Sequence, residues 1–222
     1  MDFDEFRLAA ALSDLAHEPL AREHADCVEF RMDLADEPLE ELAAYDGDLP
    51  LLATNRAEWE GGKASADDRI DALVTAAELE RVEAIDVELR SLERGEGDSL
   101  LDIADEHDTA VIVSSHDFDG TPDAAEMHET LVEACKWGDV GKLAVTANGP
   151  GDVLEVLSVT YELTESGARV ATMAMGAAGR HSRAVTPIYG SKIGYAPVDP
   201  AKATAPGQYD LETLATLVSQ LR

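Results

Sequence analysis

Eight short apolar runs, set apart by amphipathic segments, constrain this chain more than any other feature. The runs are RLAAAL (7–12), CVEFRM (27–32), LPLLAT (49–54), AIDVEL (84–89), AVIVSS (110–115), KLAVTA (142–147), RVATMAM (169–175) and the less regular IYGSKIGYA (188–196). Each is the length of a buried strand. Between them lie PLEELAAY, ADDRIDALVTAAELER, DSLLDIADEHD, TPDAAEMHETLVEACKWG and GDVLEVLSVTYELTESG, and DLETLATLVSQLR closes the chain. In these segments apolar residues recur at intervals of three and four, and Asp, Ser or Thr often precedes them as an N-cap. Strands alternating with helices pair in parallel through βαβ units. A flavodoxin-like open sheet needs only five strands; eight in 222 residues predict an α/β fold of the (β/α)8 TIM-barrel type, a single catalytic domain spanning 1–222. No low-complexity segment or linker interrupts the alternation.

Composition narrows the partners. The chain carries 46 acidic and 17 basic residues, a net charge of −29. Such a surface repels phosphates, which excludes nucleic acid and anionic membranes as partners. The charges are dispersed and the apolar periodicity is strong, so the acidity is that of a folded protein from a high-salt cytoplasm rather than of a disordered chain. At molar salt the Debye length is about 3 Å, and self-repulsion costs little. Cys27 and Cys135 have no metal or redox spacing and are expected to be reduced thiols. The acidic start MDFDEF is no signal peptide, and no apolar run reaches the roughly 18 residues of a membrane span. A cytoplasmic location is expected.

In a barrel the reactive groups gather at the C-terminal ends of the strands. Glu29 and Arg31 are two apart in VEFRMD and share a face. That face is the barrel interior if Val28, Phe30 and Met32 pack against helices. The alternative to a functional pair is a structural ion pair inside the barrel. Arg56 and Glu60 lie in TNRAEWEGG after the third run, which by itself is an ordinary solvated loop. Asp86 and Glu88 share one face of the fourth run. His116 stands at the tip of the fifth. Lys142, one of only five lysines, stands at the head of the sixth. A desolvated, unpaired lysine becomes a neutral amine that can attack a carbonyl; one that snorkels out of the barrel end does nothing. The small-residue stretch MAMGAAGRHSR reads as a flexible loop, in which Arg183 could clamp a carboxylate through two parallel hydrogen bonds.

Together these stretches resemble type I 3-dehydroquinate dehydratases, the Schiff-base-forming lyases of the shikimate pathway. The matching pieces are EFRMD, TNRAEWEGG, AIDVEL, SSHDFDGTP, GKLAVTA, MAMGAAGRHSR and ATAPGQ, in the family's order from residue 29 to residue 208. The resemblance implies that Lys142 forms the imine, that His116 is the general acid and base, and that Glu60 orients it. It implies substrate contacts from Glu29, Arg31, Arg56, Arg183, Thr204 and Gln208, with Asp86 as a supporting acid. A serine of the family falls on Ala11 here, unless Ser13 replaces it, and Thr204 stands where serine is common. The hairpin that closes the barrel floor in many members is expected to be missing or reduced.

The implied reaction is syn elimination of water from 3-dehydroquinate, without metal or organic cofactor. The resemblance also suggests a homodimer. Two other readings fit a barrel with a strand lysine. One is a class I aldolase or transaldolase, which calls for a phosphate site after strands 7 and 8. The other is a non-catalytic binding module, against which the joint presence of His116, Glu60 and Lys142 argues.

Overall fold

The computed structural model describes residues 1–66 and 68–222. Eight parallel strands form a nearly closed barrel: β1 (Arg7–Leu12), β2 (Cys27–Arg31), β3 (Leu51–Thr54), β4 (Val82–Glu88), β5 (Ala110–Asp117), β6 (Val140–Thr146), β7 (Val170–Met175) and β8 (Ile193–Pro197). Around it run α1 (Pro38–Ala44), α2 (Arg69–Ala77), α3 (Leu89–Glu93), α4 (Asp98–Glu106), α5 (Ala124–Trp137), α6 (Pro150–Glu165), α7 (Gly176–Gly179), α8 (Ser182–Val185) and α9 (Leu211–Leu221). The order β7-β6-β5-β4-β3-β2-β1-β8 leaves one seam, between β7 and β8. There the Lys192 N–H donates to the Val170 carbonyl at 2.8 Å. Further up, the edge amides of β7 find hydroxyls instead: Thr172 N–H donates to Ser191 Oγ (3.1 Å) and Ala174 N–H to Ser182 Oγ (2.9 Å). An open edge is thereby satisfied without a strand partner.

The two-residue period of each strand sorts its side chains. Val28, Phe30, Leu51, Ala53, Ile85, Val87, Val111 and Val113 face outward into the helix layer with Leu42, Leu73 and Leu100. The inward residues change character from bottom to top. Ala9, Cys27, Leu52, Ala84, Ala110, Ile112, Val140 and Ala171 fill the lower barrel together with Phe3. Above them, on the same inner faces, follow Glu29 and Arg31, Asp86 and Glu88, Ser114 and His116, and Lys142. Residues 1–6 contain no strand, as expected; the Phe3 ring, 2% exposed, packs against the barrel floor.

Several strand ends differ from the sequence reading by one or two residues, and three differences bear on the site. β6 begins at Val140, so Lys142 is its third residue and not its head. The Asp-Val-Gly ahead of it contains no long apolar stretch, which hid the strand start. Gly141 is required because α5 lies against it: a Cβ there would sit 2.8 Å from Cys135 Sγ and 2.9 Å from the Leu131 carbonyl. β8 is only Ile193–Pro197, and Thr186–Tyr189 before it is a 3-10 turn. The third difference is the small-residue stretch after β7, which is helical as α7 and α8.

The described residues include five buried cations (Arg31, Arg56, Arg69, Lys142, Arg183) and five buried acids (Glu18, Glu29, Glu60, Asp86, Glu88), so the −29 resides on the surface. Thermal stability is therefore expected to fall as KCl is diluted from molar to about 0.1 M, where the Debye length grows to about 10 Å and surface carboxylates repel one another. Melting curves across KCl check this; a melting temperature independent of salt contradicts it.

Candidate active site

One pocket at the C-terminal mouth of the barrel gathers nine of the ten residues singled out above: Glu29, Arg31, Arg56, Glu60, His116, Lys142, Arg183, Thr204 and Gln208. Its empty space, continuous with solvent at the mouth, is about 520 Å3. The tenth, Asp86, lies directly beneath it, 1% exposed. Ala11 and Ser13 are not in this pocket. They line a neighbouring cavity that shares Thr204 with it, so Ser13 does not line this pocket in place of the serine missing at Ala11.

Lys142 points to the centre. It is 4% exposed, and it is not unpaired. Its Nζ donates to Asp86 Oδ2 at 2.8 Å and lies 4.2 Å from the centre of the Tyr195 ring. The sequence places it at the head of its run and leaves open whether its amine is unpaired or snorkels out of the barrel; register makes it a mid-strand lysine anchored by an inward acid. Asp86 also accepts from Arg56 Nη2 (2.6 Å) and from the Ser114 hydroxyl (2.6 Å). Burial by itself raises a carboxyl's pKa, but Arg56 and Lys142 outweigh it and hold Asp86 ionised, well below the usual range. Arg56 Nη1 in turn donates to Glu88 Oε1 (3.0 Å) and Ser114 Oγ (2.6 Å). Glu88 continues the chain to Arg69 at the start of α2. The alternating charges stay buried because each has a partner; removing one partner of such a pair typically costs about 3–5 kcal/mol.

His116 and Glu60 form a second unit. His116 is the inner-face residue after Ser114 on β5, and Glu60 comes from the 3-10 turn Glu58–Glu60 after β3. His116 Nδ1 lies 2.8 Å from Glu60 Oε2. Burial pushes Glu60 up to about 8, Arg56 only partly opposing it. Burial also pushes His116 well below its ordinary value, with Arg56 and Lys142 adding to the effect. Both shifts disfavour an imidazolium–carboxylate pair in this water-poor corner, so the imidazole is neutral.

The rim supplies binding groups. Glu29 accepts from the Thr54 hydroxyl (3.1 Å), and Arg31 makes two parallel bonds of 2.8 Å to Asp33. Both side chains face the pocket as the alternation predicts, but they are held by these neighbours and not by each other. Gln208 Oε1 accepts from the Thr204 (2.8 Å) and Ala205 (3.2 Å) amides, folding ATAPGQ into a turn over the mouth.

Arg183 departs most from expectation. It belongs to α8, and it is only 4% exposed. Its Nη2 reaches the Pro206 carbonyl at 3.4 Å and its Nη1 reaches Met173 Sδ at 3.6 Å, while Nε has no partner. Among the described residues no acid offsets this burial, which pulls the guanidinium down to about 10. The pocket wall thus holds a cation that lacks an anion. Arg180, in contrast, stacks on Tyr209 at 4.0 Å, and it is exposed.

Several residues of the site were missed from sequence. Ser114 was visible in the alternation, as the inner-face neighbour of His116, and Glu88 was named beside Asp86 but given no role. Arg69 was not, since it reads as an exposed first helical turn. Tyr195, Met173, Met175 and Phe118 line the pocket but are indistinguishable in sequence from core residues.

Residues 9–222 match the family model described as type I 3-dehydroquinase. The chain is 59% identical over its full length to 3-dehydroquinate dehydratase of Haloarcula marismortui, covering 99% of that relative. It is 54% identical to the enzyme of Halobacterium salinarum, with 100% of both chains covered. Among solved structures, 3-dehydroquinate dehydratase from Geobacillus kaustophilus superposes with a TM-score of 0.86 at 27% identity, covering 98% of this chain and 91% of that one. A type I enzyme from Clostridium difficile, solved with covalently modified comenic acid, gives 0.85 at 28% identity, covering 98% and 92%.

Proposed function

We infer the chemistry of this pocket from one premise: the chain belongs to the type I 3-dehydroquinase family. It is a hydro-lyase, and its reaction is the dehydration of 3-dehydroquinate to 3-dehydroshikimate. The observation that carries the reading onto particular residues is the arrangement itself. A buried lysine, a neutral histidine hydrogen-bonded to a carboxyl, and an anion-free buried arginine line one pocket.

The nucleophile is the amine formed when the Lys142 ammonium gives up a proton, which the ketone oxygen takes up as it leaves as water. Its lone pair bonds to the ketone carbon of the substrate, and the carbonyl π pair moves to oxygen. Protonation and loss of that oxygen as water leave an iminium, with Asp86 as its counter-charge. The iminium draws electrons from the adjacent C–H bond. His116 takes that proton, and the C–H pair becomes the C=C of an enamine. As the enamine reforms the iminium, the β-hydroxyl departs with the proton that His116 returns. Water then hydrolyses the imine and frees Lys142. A single histidine serving both steps makes the loss of H and OH syn. Each proton transfer contributes about 10²–10⁴-fold. Arg183 meets the substrate carboxylate, and Glu29, Arg31, Arg56, Thr204 and Gln208 hold the remaining polar groups.

Arg183→Lys tests the carboxylate clamp. Lysine keeps the charge but cannot form two parallel N–H bonds. KM is expected to rise about ten- to a hundredfold with the fold intact, since a charge-assisted bond contributes about 1.5–3 kcal/mol. Unchanged KM removes Arg183 from this role and turns attention to Arg180. Assaying retro-aldol cleavage beside dehydration separates this reading from a Schiff-base aldolase.

Glu60 sets the acid limb of the pH profile. When ionised, it accepts the Nδ1 proton of His116, and Nε2 keeps a lone pair for proton abstraction. When protonated, it donates to Nδ1, the ring proton moves to Nε2, and the base is blocked. kcat/KM is therefore expected to fall as pH drops through about 8. In Glu60→Gln this limb should vanish, at a lower plateau. The same limb persisting in Glu60→Gln assigns it to another group.

A further inference from the structure

We propose that Phe118 is a positioning residue for proton transfer: its ring seals the His116–Glu60 pair from bulk water and fixes the plane of the imidazole. This rests on the roles given above to His116 and Glu60. Phe118 follows His116 by two residues at the end of β5. The two rings stack with centroids 6.0 Å apart and planes 10° from parallel, the offset geometry that aromatic pairs favour. Phe118 is 46% exposed, so core packing does not explain its place. Its seat is Gly61, the residue after Glu60. A Cβ on Gly61 would lie 2.6 Å from Phe118 Cζ, and the backbone there has φ +77°. The ring thus lies over one partner of the hydrogen bond, His116, and against Gly61, the residue next to the other partner. Under it the His116 side chain is 13% exposed and that of Glu60 7%.

Burial is the leading cause of the shifts at both groups. The charges that face the pair are Arg56 after β3, Asp86 and Glu88 on β4, Lys142 on β6 and Arg31 on β2. None of these changes when Phe118 is removed; only the access of water does.

The test is Phe118→Ala, Phe118→Tyr and Gly61→Ala in the full chain. Two properties are read: the pH profile of kcat/KM, and the titration of the His116 imidazole by NMR in the substrate-free protein. In Phe118→Ala the acid limb should move from about 8 down by about one pH unit or more, and His116 should titrate closer to the ordinary value of about 6.5. kcat should fall about tenfold or more, and borohydride trapping on Lys142 should persist. Phe118→Tyr should restore the parent profile. Gly61→Ala, which crowds the ring at its seat and strains the turn that carries Glu60, should shift the profile in the same direction as Phe118→Ala. A Phe118→Ala profile and imidazole titration that superimpose on the parent's overturn the proposal, whatever happens to kcat or KM. A parent without dehydratase activity contradicts the function assigned above, while the imidazole titration still decides the role of Phe118.

Discussion

His116→Ala is expected to lower kcat by about 10⁴-fold while leaving imine formation on Lys142 intact. The two consequences come apart because the groups are separate. Lys142 Nζ is anchored by Asp86 and Tyr195, and none of its close contacts is to His116. His116 is anchored by Glu60 and stacked under Phe118. Deleting the imidazole therefore removes the base that takes the α-proton and the acid that protonates the departing hydroxyl, but not the electron sink. In rapid-quench experiments with borohydride the variant should accumulate a substrate adduct that the parent turns over. Near-normal turnover overturns the role of His116. Loss of trapping as well as turnover would place His116 in imine formation too.

Lys142→Ala should abolish both, a larger loss still, since no other group in the pocket can carry the substrate's electrons. Here a structural cost must be told apart from the chemical one. The substitution leaves Asp86 without one partner, and breaking a buried pair typically costs about 3–5 kcal/mol. Asp86 keeps Arg56 and Ser114, so the cost should fall near the lower end and the barrel should remain folded. Lys142→Met, close in length and apolar, provides the control. A folded Lys142→Met protein with measurable dehydration contradicts the imine mechanism.

Much of this was legible in the sequence because a barrel strand writes its inner face at every second residue. Glu29 with Arg31, Asp86 with Glu88, and Ser114 with His116 each announce a polar upper layer above a run of small apolar residues. The distances between strands were not legible. The sequence showed no partner for Lys142 because Asp86, 56 residues earlier, meets it only through the register of β4, β5 and β6. The same holds for Arg69, whose partner Glu88 lies across the helix–strand junction. The stretch GAAGRHSR read as a mobile loop because its small residues show no apolar period. It is helical because the Ser182 hydroxyl ties it to the free edge of β7, a bond that depends on the open seam beside β8. That tie buries Arg183, so the guanidinium proposed to meet the substrate carboxylate is already held in the pocket wall. The acidic composition, in turn, concerns habitat and not the site. The relatives from Haloarcula and Halobacterium share the activity at 54–59% identity, and the pocket's buried charges are balanced by one another.

The most direct test of the central claim is to treat the protein with 3-dehydroquinate and sodium borohydride, digest it, and locate the mass increase on the five lysines. The imine mechanism predicts the reduced adduct on Lys142 alone, with loss of activity in proportion to labelling. An adduct on Lys136 or Lys192, or full activity retained after borohydride with no lysine modified, would contradict it.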